Sequence, residues 1–169
     1  MSTLSVLIEA SANSWGKLAT EHGDRTIGII LRALVSFCNA HLAQSASNQL
    51  LVFAYGRNIE KKMIFSSSRP DDRETSTVIV KRLREILTRD AQGDEVRVGV
   101  PLGPALAHAF CHMKKTSKTV TADQCADSLG PQTVSTGEPV ETGAESITTR
   151  AVLISMTPIS GAEHAFLGY

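Results

Sequence analysis

Apolar and polar positions divide the chain into short apolar runs and longer segments with helical spacing. Leu4 to Ile8 (LSVLI) is an apolar run that ends at Glu9, and it predicts a strand buried in a covered sheet. Ser11 to Gly23 is polar and rich in small residues, with one Trp inside it, and reads as a loop. Asp24 can cap a helix. From Ile27, apolar residues recur at 30, 31, 34, 35, 38 and 42, which is helical spacing. Ile29, Ala33 and Phe37 make the other side apolar as well, so this helix is expected to be covered on most faces before it ends near 45–48. Gln49 to Tyr55 is a second strand, Gly56-Arg57-Asn58 a turn, and Lys61 to Phe65 a third strand. Strand, tight turn and strand predict an antiparallel pair, and the lysines suit a sheet edge.

Ser66 to Arg73 is a polar loop with a Pro-Asp-Asp turn. A helix follows over 76–88, with Ile79, Leu83, Ile86 and Leu87 on one stripe and Lys81, Arg82, Arg84 and Glu85 off it. Another is expected over 101–114, with Pro101 in its first turn and Leu102, Leu106, Ala109, Phe110 and Met113 facing inward. Residues 116–149 are rich in Ser, Thr, Gly, Asp and Glu and nearly lack large apolar residues. They are expected to form a disordered surface insertion, because little burial offsets the entropy of ordering them. Ala151 to Ile154 is a fourth strand, and Gly161 to Tyr169 starts one more helix. The predicted order is strand, helix, strand, strand, helix, helix, strand, helix. It implies an α/β fold with a mainly parallel sheet, helices on both faces and one antiparallel edge strand.

With 169 residues, 42 % hydrophobic and 20 % charged, the chain has the size and composition of one globular domain, 1–169. The formal net charge of zero gives no global steering toward nucleic acid or an anionic membrane. The three cysteines Cys38, Cys111 and Cys125 cannot all pair within the chain. They read as buried thiols in a reducing compartment. The opening residues lack the pattern of a secretory signal, and no apolar run is expected to span a membrane.

Four blocks carry a resemblance. They are Leu7-Ile8-Glu9-Ala10 followed by Trp15-Gly16-Lys17; Asn39-Ala40-His41-Leu42 with Ser47-Asn48-Gln49-Leu50; Leu102, Ala105-Leu106-Ala107 and Ala109-Phe110-Cys111; and Arg150 to Ile154. In this order they resemble the smaller von Willebrand factor A-type subunit of general transcription factor IIH. The resemblance implies a von Willebrand A-like fold that is incomplete at the C-terminus. Further strands of that fold and the family's cysteine-rich zinc-binding region are missing, so zinc is not expected in this chain. It also implies a non-catalytic nuclear scaffold that binds the larger von Willebrand-type subunit and other core subunits. Such a scaffold supports RNA polymerase II transcription initiation and nucleotide excision repair without touching nucleic acid or membrane.

Many von Willebrand A domains hold a divalent metal at the carboxyl ends of their strands, which requires hard oxygen ligands. The corresponding positions here read Glu9, Ser11, Asn13, Val100 and Met156. Two of them, Val100 and Met156, offer no side-chain oxygen, so no metal is expected. His108, Cys111 and His112 share a helical face. They are expected to be a buried thiol with two histidines at its rim rather than a zinc site, since no fourth ligand is evident. His41, near a helix end, is expected to bond a carbonyl. Glu9 has no paired acid or nucleophile with which to act as a base, and no phosphate-binding glycine loop is present. Trp15, Gly16 and Lys17 are the candidate partner-binding residues, Trp15 either folding back onto the domain or anchoring a partner. Two alternatives stay open: a metal-free module like the proteasome's ubiquitin receptor, and a Rossmann-like nucleotide-binding enzyme.

Overall fold

The run from Thr3 to Ala10 is buried on both sides of its backbone, which is why it reads as continuous rather than alternating. Strand β1 (Ser2–Glu9) sits inside a four-stranded sheet of order β3-β2-β1-β4 in the computed structural model, which describes residues 1–56, 59–70, 72, 74–93, 102–126 and 147–156. It pairs in parallel with β2 (Gln49–Gly56) on one side and β4 (Thr148–Ile154) on the other, Val6 lying between Val52 and Val152. Strand β3 (Ile59–Ser66) pairs with β2 in antiparallel and forms an edge. The mainly parallel sheet with one antiparallel edge strand is the arrangement expected from the sequence. The strands are longer than their apolar cores, because parallel pairing extends into polar residues such as Thr148 and Thr149.

Successive residues of each strand face opposite sides. Leu4, Val6 and Ile8 of β1, with Leu50, Val52 and Ala54 of β2, meet three helices: α1 (Ala12–His22), α2 (Arg25–Ala43) and α3 (Thr75–Gln92). Leu7, Leu51, Phe53 and Tyr55 point the other way, onto Leu102, Ala105, Ala109 and Met113 of α4 (Leu102–Ala126). Each fully buried aliphatic side chain contributes roughly 1.5–3 kcal/mol.

Several expectations are corrected. The segment from Ser11 to Gly23 is helix α1, not a loop. Its small polar residues hide an amphipathic spacing in which Trp15 is buried and Leu18 and Ala19 are half-buried, while Lys17 and Glu21 pair on the solvent side at 3.8 Å. Ser11 caps it by accepting from the Ser14 N–H. Gly23 ends it at φ 85°, a left-handed value that favours glycine. Helix α2 is not covered on most faces: only Leu34 and Cys38 are buried, and Ile29 and Phe37 are 56 % and 47 % exposed. By length and composition α2 is apolar enough to cross a membrane, although its inner stripe packs on the sheet. On α4 the inward stripe is 102, 105, 109 and 113, which turns Phe110 outward at 54 % exposure. Helix α4 also continues through Ala126, into the segment expected to be disordered. No glycine or proline interrupts 116–126, so a packed start can propagate. The last residues of that insertion are ordered as well, since Thr148 and Thr149 open β4 and pair with β1. Residues 127–146, the turn at Arg57-Asn58, the start at Pro101, and the helix expected at 161–169 lie outside the described residues.

Two polar clusters fasten the ends of these elements. The Asn48 side chain accepts from the Ser2 N–H at 3.1 Å and donates to the His41 carbonyl at 3.0 Å, and His41 Nε2 donates to the Gln49 carbonyl at 3.1 Å. The Asn-x-His-Leu and Ser-Asn-Gln-Leu blocks therefore lock the end of α2 to the starts of β1 and β2. At the far end of β3, buried Asp72 accepts from the Ser66 N–H at 3.0 Å. Arg82 of α3 reaches Asp72 at 2.9 Å and the Ile64 carbonyl at 2.8 Å. Removing one partner of a buried pair leaves an unpaired charge. Arg82 is about one-third exposed, so Arg82→Ala is expected to cost roughly 2–4 kcal/mol, less than a fully buried pair. Urea unfolding of the two chains measures this, and a loss below about 1 kcal/mol would mean that water replaces the guanidinium.

Candidate binding site at the carboxyl ends of the strands

In open α/β sheets, ligands bind where the strands end and the chain reverses into helices. That position is occupied here by the chain itself. Glu9, the last residue of β1, is fully buried. Its carboxylate Oε2 accepts from the Ser155 hydroxyl at 2.9 Å and from the Met156 N–H at 2.7 Å, both just beyond β4. The Glu9 carbonyl accepts from Trp15 Nε1 at 2.7 Å, which draws α1 down onto the strand end. Ala10 N–H donates to the Tyr55 carbonyl at 2.7 Å. A Cβ on Gly56 would come within 3.1 Å of the Ala10 carbonyl oxygen, so only glycine fits this approach without adjustment. Asp90, near the end of α3, accepts from the Ala12 N–H at 2.8 Å and caps the start of α1. One carboxylate and one indole thus join β1, β4 and α1, and a second carboxylate joins α3 to α1.

The positions aligned with a metal site are dispersed. Glu9 faces β4, Ser11 caps α1, and Asn13 is exposed. Met156 contributes an N–H and a side chain packed against the core. Val100 lies outside the described residues. A cation held by Glu9 Oε2 and Ser11 would have to displace the hydrogen bonds on that oxygen and the Ser11 cap, and Met156 brings no oxygen-bearing side chain to the face.

The family model of transcription factor Tfb4 matches residues 1–167. The chain belongs to the Tfb4 family. The fold of this Tfb4-family chain is similar to the crystal structure of the TFIIH p34 N-terminal domain. That match has a TM-score of 0.60 at 21 % identity and covers 98 % of this chain and 71 % of that one. It shows a von Willebrand A-like fold. No curated protein matches the sequence.

Of the Tfb4-family chain's candidate partner residues, Trp15 is 3 % exposed and spends its N–H inside the domain, whereas Gly16 and Lys17 are on the surface of α1. His108 and His112 do come together, Nε2 to Nε2 at 3.2 Å, with both rings against Phe53. Cys111, expected to be buried, is exposed. A helix turns by about 100° per residue, so with His108 and Ala109 against the sheet it points outward. No group of three metal-ligating residues forms among the described residues. Buried Cys38 is pushed up to about 11 by desolvation and stays a thiol. Sequence reasoning had no signal for Ser155 or Asp90, because partners so distant in the chain meet only through the fold.

Two outcomes are expected. Adding millimolar magnesium or manganese to the chelated protein leaves its thermal midpoint unchanged, because a ligand bound only by the folded state would raise it. A rise of several degrees that Glu9→Gln abolishes would contradict this. The second outcome concerns pH. Desolvation first, then the charges of His108, Lys115 and Arg69, hold His112 below its ordinary value of 6.5. The folded state therefore binds this proton less readily than the unfolded chain, and the stability it contributes is present above pH 6.5 and lost on acidification below it. His112→Gln is expected to flatten the stability profile between about pH 7 and 5, as read by urea unfolding at each pH. An unaltered profile would place the acid sensitivity elsewhere.

Proposed function

We propose that this chain is the smaller von Willebrand-type subunit of the transcription factor IIH core and acts there as a metal-free, non-catalytic scaffold. In this reading it binds the larger von Willebrand-type subunit in the nucleus and supports transcription initiation by RNA polymerase II and nucleotide excision repair. Family membership and the likeness to the TFIIH p34 domain support the complex. The observation that carries the scaffold role is the Glu9 carboxylate. This buried acid at the usual ligand end of the sheet gives its Oε2 to Ser155 and Met156, which makes it a structural tie. A general base, by contrast, needs hydrogen-bond reach to a substrate proton. As a general transcription factor family, Tfb4 implies the nucleus. The expected zinc-free, cofactor-free state belongs to the same proposal.

The test is co-expression with the larger von Willebrand-type subunit of the same organism, purified through that partner in the presence of chelator. Stoichiometric recovery supports the reading, and no recovery of a chain shown to be folded overturns it. Lys17→Glu, on the exposed side of α1, reduces recovery if α1 carries the interface and leaves it unchanged if another face does. Trp15→Ala is a poor probe. It empties a core position, at a cost of about 3–5 kcal/mol, and so confounds folding with binding.

A further inference from the structure

Helix α2 carries a second surface that the fold does not use. Its inner stripe, Leu34 and Cys38 with Leu31 and Leu42 partly covered, packs on the sheet. Its outer stripe lines an open groove against α3, formed by Arg25, Gly28, Ile29, Arg32 and Val35 on one wall and Val80 on the other. Ile29 is more than half exposed. Gly28 has nothing within 4 Å of where a Cβ would stand, so the wall dips there and leaves room for a side chain from outside. Burying such aliphatic surface is favourable wherever a partner can cover it.

The rim charges say what kind of partner. Arg25 and Arg32 are seven residues apart, two helical turns or about 10 Å along the groove. Among the described residues neither is paired with a carboxylate, unlike Lys17 with Glu21 and Arg82 with Asp72. Arg84 follows Val80 by one turn of α3 and is also exposed, which adds a third cation to that side. An apolar floor with unpaired guanidinium groups on its rim is complementary to a helix that has leucine-like residues on one stripe and carboxylates on its flanks.

We propose that the groove between α2 and α3 is a docking site for an amphipathic, acidic helix of another protein. The site lies on the helical layer, apart from the strand ends, and does not depend on the transcription factor IIH assignment.

The probe is a labelled helical peptide of about 18 residues, with leucines at i, i+3, i+4 and i+7 spacing and glutamates on both flanks. Its control carries lysine at every glutamate. Fluorescence anisotropy with the whole chain is expected to give a Kd of order 10 μM for the acidic peptide and at least about tenfold weaker binding of the basic one. Arg25→Glu with Arg32→Glu should reverse that preference, and Ile29→Asp should weaken the acidic peptide by at least about tenfold. These positions are surface-exposed, so the variants keep the parent's thermal midpoint, which a melt verifies. Equal binding of the two peptides, or binding that ignores all three substitutions, overturns the proposal. So does capture of the chain by phosphatidylserine vesicles through the same arginines without peptide binding, which would make the groove a membrane surface. Ile29-dependent dimerisation at micromolar concentration would assign it to a second copy instead.

Discussion

A buried carboxylate at the end of a central strand has to be satisfied by something, since leaving it unpaired would cost several kcal/mol. Oxygen Oε2 of Glu9 is satisfied by the chain beyond β4, through the Ser155 hydroxyl and the Met156 N–H. The backbone of the same residue holds the Trp15 indole. From this one position the sheet's edge order and the seat of α1 follow. Strand β4 must end alongside β1 for its Ser155 to reach, and α1 must begin directly after Ala10 for the indole to fold back. Asp90 completes the arrangement by capping α1 from α3. The end of the sheet where α/β proteins usually hold ligands is thus consolidated by internal hydrogen bonds.

The sheet was legible because β1 and β2 are buried on both faces, so LSVLI and QLLVFAY could be little else. The antiparallel strand was legible through the tight turn that precedes it. What stayed hidden was amphipathicity without strong contrast. Helix α1 has one large inward residue, Trp15, among Ala, Ser, Gly and Thr, and one of the groups that cap it, Asp90, comes from a distant part of the chain. The reverse error occurred on α2 and α4. On α2 apolar composition suggested burial on most faces, and on α4 the inward stripe was set one position off, whereas a helix lying on a sheet buries one narrow stripe and leaves Ile29, Phe37 and Phe110 outside. Composition reports which residues could be buried, and only the fold decides which are.

The candidate site was half legible. Glu9, Ser11, Asn13 and Met156 were singled out as a degraded metal motif, and Glu9 and Met156 do meet, through a main-chain N–H that no side-chain pattern encodes. Two of the four sequence blocks that carry the resemblance turn out to be fastenings: His41 and Asn48 at the bottom of the sheet, Glu9 and Trp15 at the top. Side chains that hold element ends together in this way suit a scaffold, whose surface has to be presented in a fixed shape. The exposed face of α2, by contrast, holds nothing together within the domain.

The most direct test of this account is a double-mutant cycle between Glu9→Gln and Ser155→Ala, read by urea unfolding of the whole chain. If the carboxylate serves to tie β1 to β4, each single substitution destabilises and the pair shows a coupling energy of about 1–2 kcal/mol. Strictly additive effects, or a Glu9→Gln chain as stable as the parent, would contradict it and return Glu9 to the position of an acid held ready for a ligand.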